Sequence, residues 1–307
     1  MPDGVRLAFP ILGRAFTAVD VPPILTTWLR DTWDYPDRGA SRADYDISLS
    51  AVATAPAERS GSWTLVEGTL PGGAVTLRSR GSCWRAGDGQ AGVELEVQAS
   101  GSRIYLWGWT DAAEPAPLYL ALYLMMAEAL RVSGLLPLHA AVAARDGEAT
   151  AWLGVSGTGK STTLLRAARG GWHPVAEDLV WLDPSAGMAY GWDRAVRVWP
   201  DTLRRFFPDL DGSAGADGKL LIPYSALAGA APRRARISRL AILARQPGVP
   251  SRWEPVAPHE VTRALWEATG VALSVPARDL ASRAIAELVR RLPAARLVLG
   301  DDEPVLA

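Results

Sequence analysis

The chain has 307 residues, 49% of them hydrophobic and 21% charged, with a formal net charge of −1. That is enough chain for two domains, or for one large α/β domain with an appendage, and the balanced charge leaves no electrostatic footprint for non-specific nucleic-acid binding. A single cysteine, Cys83, excludes an intrachain disulfide and suits a reducing cytoplasm. Residues 1–13 carry no basic segment followed by a long apolar one, so no signal peptide is expected. Residues 46–52, 62–67, 74–80, 93–98 and 103–109 read as short strands, several alternating apolar and polar, with glycine-rich breaks at 71–73 and 87–92. They predict a small antiparallel β-rich domain over 1–115, for substrate recognition or structure, closed by a proline-bearing linker at 113–117. The run 118–132 predicts a buried helix, too short to span a bilayer, so no membrane partner is expected.

From residue 116 to 307 the pattern alternates strands and helices, which predicts an α/β domain. Strands are expected at 138–144, 149–153, 174–182, 196–199, 220–223, 237–244 and 295–299. Helices are expected at 161–169, 202–207, 258–269 and 277–291.

The chemistry concentrates at Gly154-Val155-Ser156-Gly157-Thr158-Gly159-Lys160-Ser161, which fits G-x-x-x-x-G-K-[ST] between a strand and a helix. Glycines let the backbone wrap phosphate oxygens, and the helix that follows directs its positive end at the same anion. Nucleoside triphosphate binding, as ATP with Mg²⁺, is therefore expected at Gly154, Ser156, Gly157, Thr158, Gly159, Lys160, Ser161 and Thr162. Lys160 would reach the β- and γ-phosphates and the Ser161 hydroxyl the metal. The chain has thirty arginines but only two lysines, Lys160 and Lys219, so each lysine is a candidate for a site needing a compact ammonium.

Glu177 and Asp178 are adjacent acids in an apolar run and are costly to bury unless paired, hydrated or metal-bound. They are candidates for the magnesium shell, against the alternative of a structural ion pair. Two of the three histidines, His139 and His173, bracket the loop; His259 receives no role. Lys219 and Arg197 are candidates for phosphate or substrate contacts. Arg233, Arg234, Arg236 and Arg239 read mainly as a solvated charge cluster. Most of the thirteen tryptophans, among them Trp63, Trp84, Trp107 and Trp109, read as core or sheet-face residues.

Four segments together resemble the HPr kinase/phosphorylase superfamily, in particular its shorter HPr-kinase-related members, as in peptide-tailoring and lasso-peptide kinases. They are Leu138-His139-Ala140-Ala141, the loop fifteen residues on, Arg169-Gly170-Gly171-Trp172-His173 running into Val175-Ala176-Glu177-Asp178, and Val196-Arg197-Val198-Trp199-Pro200-Asp201 with the later Lys219. The resemblance covers about 118–299 and implies a phosphoenolpyruvate-carboxykinase-like P-loop core that transfers phosphate from ATP to a hydroxyl, usually of serine. It implies Glu177 as general base, Asp178 on the metal with Ser161, and His139 supporting the base or the γ-phosphate. Glutamate stands at 177 where the family has aspartate, and the family's Glu-Ile-Arg-Gly segment is missing. A ribosomal peptide or a small hydroxyl compound is therefore the expected acceptor, with no nucleic acid, and self-association is left open. A nucleotide-driven switch or ATPase without acceptor, and a degenerate binding module, stay as alternatives.

Overall fold

In the computed structural model of the chain the described residues are 6–33, 42–57, 62–70, 73–110, 116–193, 195–215, 217–228 and 233–300. The linker expected at 113–117 and the break at 71–73 fall largely outside them. The fold is mixed α/β with several sheets and, among the described residues, seven helices. None of these helices is long and apolar enough to cross a membrane.

The chain divides into two compact units, residues 1–133 with 272–278 and residues 134–271 with 279–307. In the first unit, β1 (Arg6–Ile11) and β2 (Arg14–Val19) form a hairpin, followed by α1 (Pro23–Trp33) and β3 (Arg42–Ala51). Then come β4 (Thr64–Leu70), β5 (Gly73–Arg80), β6 (Cys83–Gly87), β7 (Gly92–Gln98), β8 (Gly101–Trp107) and α2 (Ala116–Val132). The sheet order is β1-β2-β3-β8-β7-β6-β5-β4. This corrects the expectation of an antiparallel domain, because β2–β3 and β3–β8 run parallel. A parallel neighbour needs a crossover, and α1, which the strand pattern did not reveal, supplies the first one.

The unit boundary also falls later than residue 115. Helix α2 packs on β5 to β8 of its own unit. Its buried Glu128 accepts bonds from the Ser274 amide at 2.7 Å, the Ser274 hydroxyl at 2.6 Å and the Leu273 amide at 3.1 Å, which ties 272–278 to the same unit. Trp84, Trp107 and Trp109 are buried, as expected.

The second unit comprises β9 (Leu136–Arg145), β10 (Glu148–Leu153), α3 (Lys160–Arg169), β11 (His173–Ala176), β12 (Leu179–Asp183), β13 (Met188–Gly191), β14 (Ala195–Val198) and α4 (Pro200–Phe206). It continues with β15 (Ser213–Ala214), β16 (Leu220–Pro223), α5 (Tyr224–Ala228), β17 (Arg234–Arg245), β18 (Arg252–Pro255), α6 (Pro258–Thr269), α7 (Val275–Arg291, whose first turn to Arg278 belongs to the first unit) and β19 (Ala294–Leu299). The main sheet runs β10-β9-β12-β13-β17-β19-β18, with β11 also on β9 and β10 also on β17.

Both faces of this sheet are covered. Along β9, Leu136, Leu138, Ala140, Val142 and Ala144 enter a core shared with α6 and α7, while Ala141 and Ala143 enter one shared with α3 and α4. Successive side chains of a strand point to opposite faces, so a strand buried on both sides reads as a continuous apolar run. Strands β14, β16 and β15 form a separate small sheet.

One expected element breaks in two. The apolar run 174–182 is not a single strand: it stops as β11 at Ala176 and resumes as β12 at Leu179, with Glu177 and Asp178 in the gap. Behind the break lies Gly191, where an added Cβ would stand 1.5 Å from the Val175 carbonyl oxygen, so only glycine allows this backbone approach. Gly191→Ala is expected to cost about 1–3 kcal/mol in a urea unfolding titration. A loss below about 0.5 kcal/mol would contradict the tight contact.

Candidate functional site

The phosphate-loop residues take the conformation their glycines permit. After β10 the chain turns through Gly157 (φ +83°) and Gly159 (φ +102°), left-handed values that other residues adopt only at a cost, and enters α3 at Lys160. The Thr158 hydroxyl closes the loop on the Val155 carbonyl at 2.7 Å. At Gly154 a Cβ would lie 2.6 Å from Thr158 Oγ1. Gly154 and Thr158 therefore shape the loop. Ser156, Gly157, Gly159, Lys160, Ser161 and Thr162 line a cavity of about 320 Å³.

Strand register brings the other groups to the same edge. Leu153, the last residue before the loop, pairs with Ala140, and His139 pairs with Leu179. The end of β10, His139 and the Glu177–Asp178 gap thus converge, and His139, Glu177, Asp178, Arg197 and Lys219 all line the cavity. His173 is exposed at the start of β11 and is not among the lining residues. Arg234 and Arg236 lie at the start of β17, at the opposite end from Arg245, which does line the cavity.

The two acids have different partners. The Ser161 hydroxyl donates to Glu177 Oε1. Glu177 Oε2 is buried with no hydrogen-bond partner, and Arg197 Nε lies 3.6 Å away. Asp178 instead meets His139 Nε2 at 2.7 Å through Oδ1 and the Arg197 guanidinium at 2.6 Å through Oδ2. The Glu177 side chain is 7% exposed and that of Asp178 37%. Burial pushes the Glu177 carboxyl above the ordinary glutamate range, partly opposed by the Ser161 hydroxyl. The His139 hydrogen bond holds Asp178 below the usual aspartate range. Burial lowers the Lys160 ammonium, which lies 2.7 Å from the Gly154 carbonyl oxygen.

Asp193, which sequence reading did not single out, organises this corner. Its Oδ2 accepts the successive amides of Glu177 at 2.9 Å, Asp178 at 2.7 Å and Leu179 at 3.0 Å. Those amides are released from sheet pairing by the gap, and one carboxylate oxygen satisfies them all. Burial raises the Asp193 carboxyl above its ordinary range even so. No sequence signal marks an acid fifteen residues beyond the pair it supports. Arg245, Trp199 and Thr202 also line the cavity; of these only Trp199 lies in a segment that carries the resemblance.

Among the described residues no three His, Cys, Asp or Glu side chains converge into a metal cage. A magnesium ion carried by a triphosphate needs only one or two protein ligands, the rest coming from phosphates and water. The buried Glu177 Oε2, which accepts no hydrogen bond and has the Arg197 guanidinium only at 3.6 Å, belongs to a carboxylate already bonded by the Ser161 hydroxyl and fits such an ion. No family model matches the chain, and no curated protein sequence does.

Asp193→Ala is expected to destabilise the chain by about 3 kcal/mol, since it leaves three amides without their charged acceptor. Asp193→Asn, which keeps an acceptor oxygen, is expected to lose less. Thermal and urea unfolding measure both, and an alanine variant within about 0.5 kcal/mol of wild type would contradict the assignment.

Proposed function

We propose that this chain is an ATP- and Mg²⁺-dependent phosphotransferase of the HPr-kinase-like kind. On this reading its second unit is a phosphoenolpyruvate-carboxykinase-like P-loop core that transfers the γ-phosphate to a hydroxyl, usually serine, of a peptide or small molecule in the cytoplasm. The observation that carries the reading is the shared cavity: the phosphate loop, two acids, His139 and Arg197 line one space at one edge of the sheet. A loop that only bound nucleotide would not need a second carboxylate held open to solvent by a histidine.

The geometry supports a division of labour between the acids that differs from the one the resemblance implies. Ser161 and Glu177 would hold the magnesium, since the hydroxyl already bonds the carboxylate and Oε2 accepts no hydrogen bond. Bound there, the metal would neutralise charge on the β- and γ-phosphates. Asp178 is the acid an acceptor can reach, with His139 and Arg197 fixing its two oxygens. It would take the hydroxyl proton while the acceptor oxygen bonds to the γ-phosphorus. The bond from phosphorus to the bridging oxygen breaks, its electron pair leaving on ADP. Lys160, freed from the Gly154 carbonyl, would face the charge that develops on the phosphates. Arg197, Arg245 and Lys219 add positive charge to the same cavity.

The test is phosphoryl transfer from ATP to a panel of serine-bearing peptides and small alcohols, read by mass spectrometry and by ADP release. Chelation with EDTA should stop transfer and Mg²⁺ should restore it. Lys160→Ala should weaken nucleotide binding at least about tenfold, the cost of a charge-assisted phosphate contact. Glu177→Gln should raise the metal concentration needed for nucleotide binding, measured with Mn²⁺ by electron paramagnetic resonance. Asp178→Asn should leave that concentration unchanged and cut kcat by about 10²–10⁴, the usual worth of a general base. ATP hydrolysis without transfer to any acceptor would favour the ATPase reading instead.

A further inference from the structure

We infer that Trp199 is the platform on which the nucleobase of the bound triphosphate stacks. The inference rests on the nucleotide-binding reading above and extends it to a part of the substrate that the phosphate loop does not touch. Trp199 is 56% exposed, high for so large an apolar side chain, and it lines the cavity that holds Lys160, Ser161 and Thr162. An exposed aromatic lining a polar cavity offers a face on which a flat ring can stack.

The ring stands on a fixed support. Trp199 follows β14 directly, and its carbonyl accepts the Leu203 amide at 3.0 Å as α4 begins. Leu203 and Phe207 pack into the core with Leu164 and Leu165 of α3, so the platform is braced against the helix that begins at Lys160. Lys219 Nζ lies over the ring at 5.4 Å from its centroid, and a Cβ added at Gly218 would stand 3.9 Å from Trp199 Cζ3. A cation is attracted to an aromatic face and helps hold the ring's orientation, and the ring stays 56% exposed with Lys219 in place.

Position favours a base over an acceptor. Arg197, which bonds Asp178, is two residues earlier on the same extended segment. The Trp199 Cα therefore lies about 6–7 Å along the chain from that of Arg197, a displacement set by strand rise. A nucleobase, separated from the γ-phosphate by a sugar and two phosphates, suits that offset.

Calorimetric titration of the full chain with Mg·ATP and with Mg·tripolyphosphate, which lacks base and sugar, separates the parts. Trp199→Ala should weaken ATP binding about tenfold, within the range for loss of one base–aromatic stack, and leave tripolyphosphate binding unchanged. Trp199→Phe should restore ATP binding to within about threefold, because a smaller ring still stacks. Circular dichroism and melting would confirm that both variants fold. Unchanged ATP affinity overturns the inference. So does equal weakening of both compounds, or a change confined to the KM of the acceptor, which would make Trp199 an acceptor contact. A wild-type chain that binds neither compound overturns the nucleotide reading itself, and this inference with it.

Discussion

Three hydrogen bonds from consecutive amides to one oxygen of Asp193 set the geometry on which the site depends. An apolar segment beside β9 would continue as one strand, and its side chains would then alternate between the two cores. Stopping it at Ala176 frees the amides of Glu177, Asp178 and Leu179, which would be costly if left unpaired. The Asp193 carboxylate removes that cost, and Gly191 leaves room for the Val175 carbonyl behind the gap. The outcome is two adjacent acids that both line the phosphate-loop cavity, one under the Ser161 hydroxyl and one open beside His139.

The loop itself was legible from sequence because its chemistry is written in backbone requirements. Gly157 and Gly159 adopt left-handed φ values, and Lys160 begins a helix directly after them. Spacing alone marked His139 and His173 alike as bracketing the loop, and only the resemblance set His139 apart; strand register brings His139 to the loop through the Leu153–Ala140 and Leu179–His139 pairs. The break between β11 and β12 was not legible. Val175, Ala176, Leu179 and Val180 read as one apolar strand, and the group that interrupts it lies fifteen residues downstream with no motif of its own.

The first unit was harder to read for a related reason. Alternation marked most of its central strands but not their partners. Pairing direction is set by connections, and the crossover α1 between β2 and β3 does carry a helical signal, Leu25, Leu29 and Trp33 four residues apart, which the strand assignments did not include. The boundary was misplaced because α2 follows a proline-bearing stretch that looks like a linker, whereas its buried Glu128 bonds Leu273 and Ser274 far along the chain. Such long-range contacts leave no trace in local pattern.

In the proposed function Ser161 and Glu177 would share a metal ion that arrives with the triphosphate. Anomalous diffraction from crystals grown with Mn²⁺ and a non-hydrolysable ATP analogue tests this most directly. The expected result is one manganese peak between Ser161 Oγ and the Glu177 carboxylate, phosphates inside the 154–161 loop, and Asp178 still on His139. Phosphates outside that loop, or manganese held elsewhere with Glu177 Oε2 unpartnered, would contradict it.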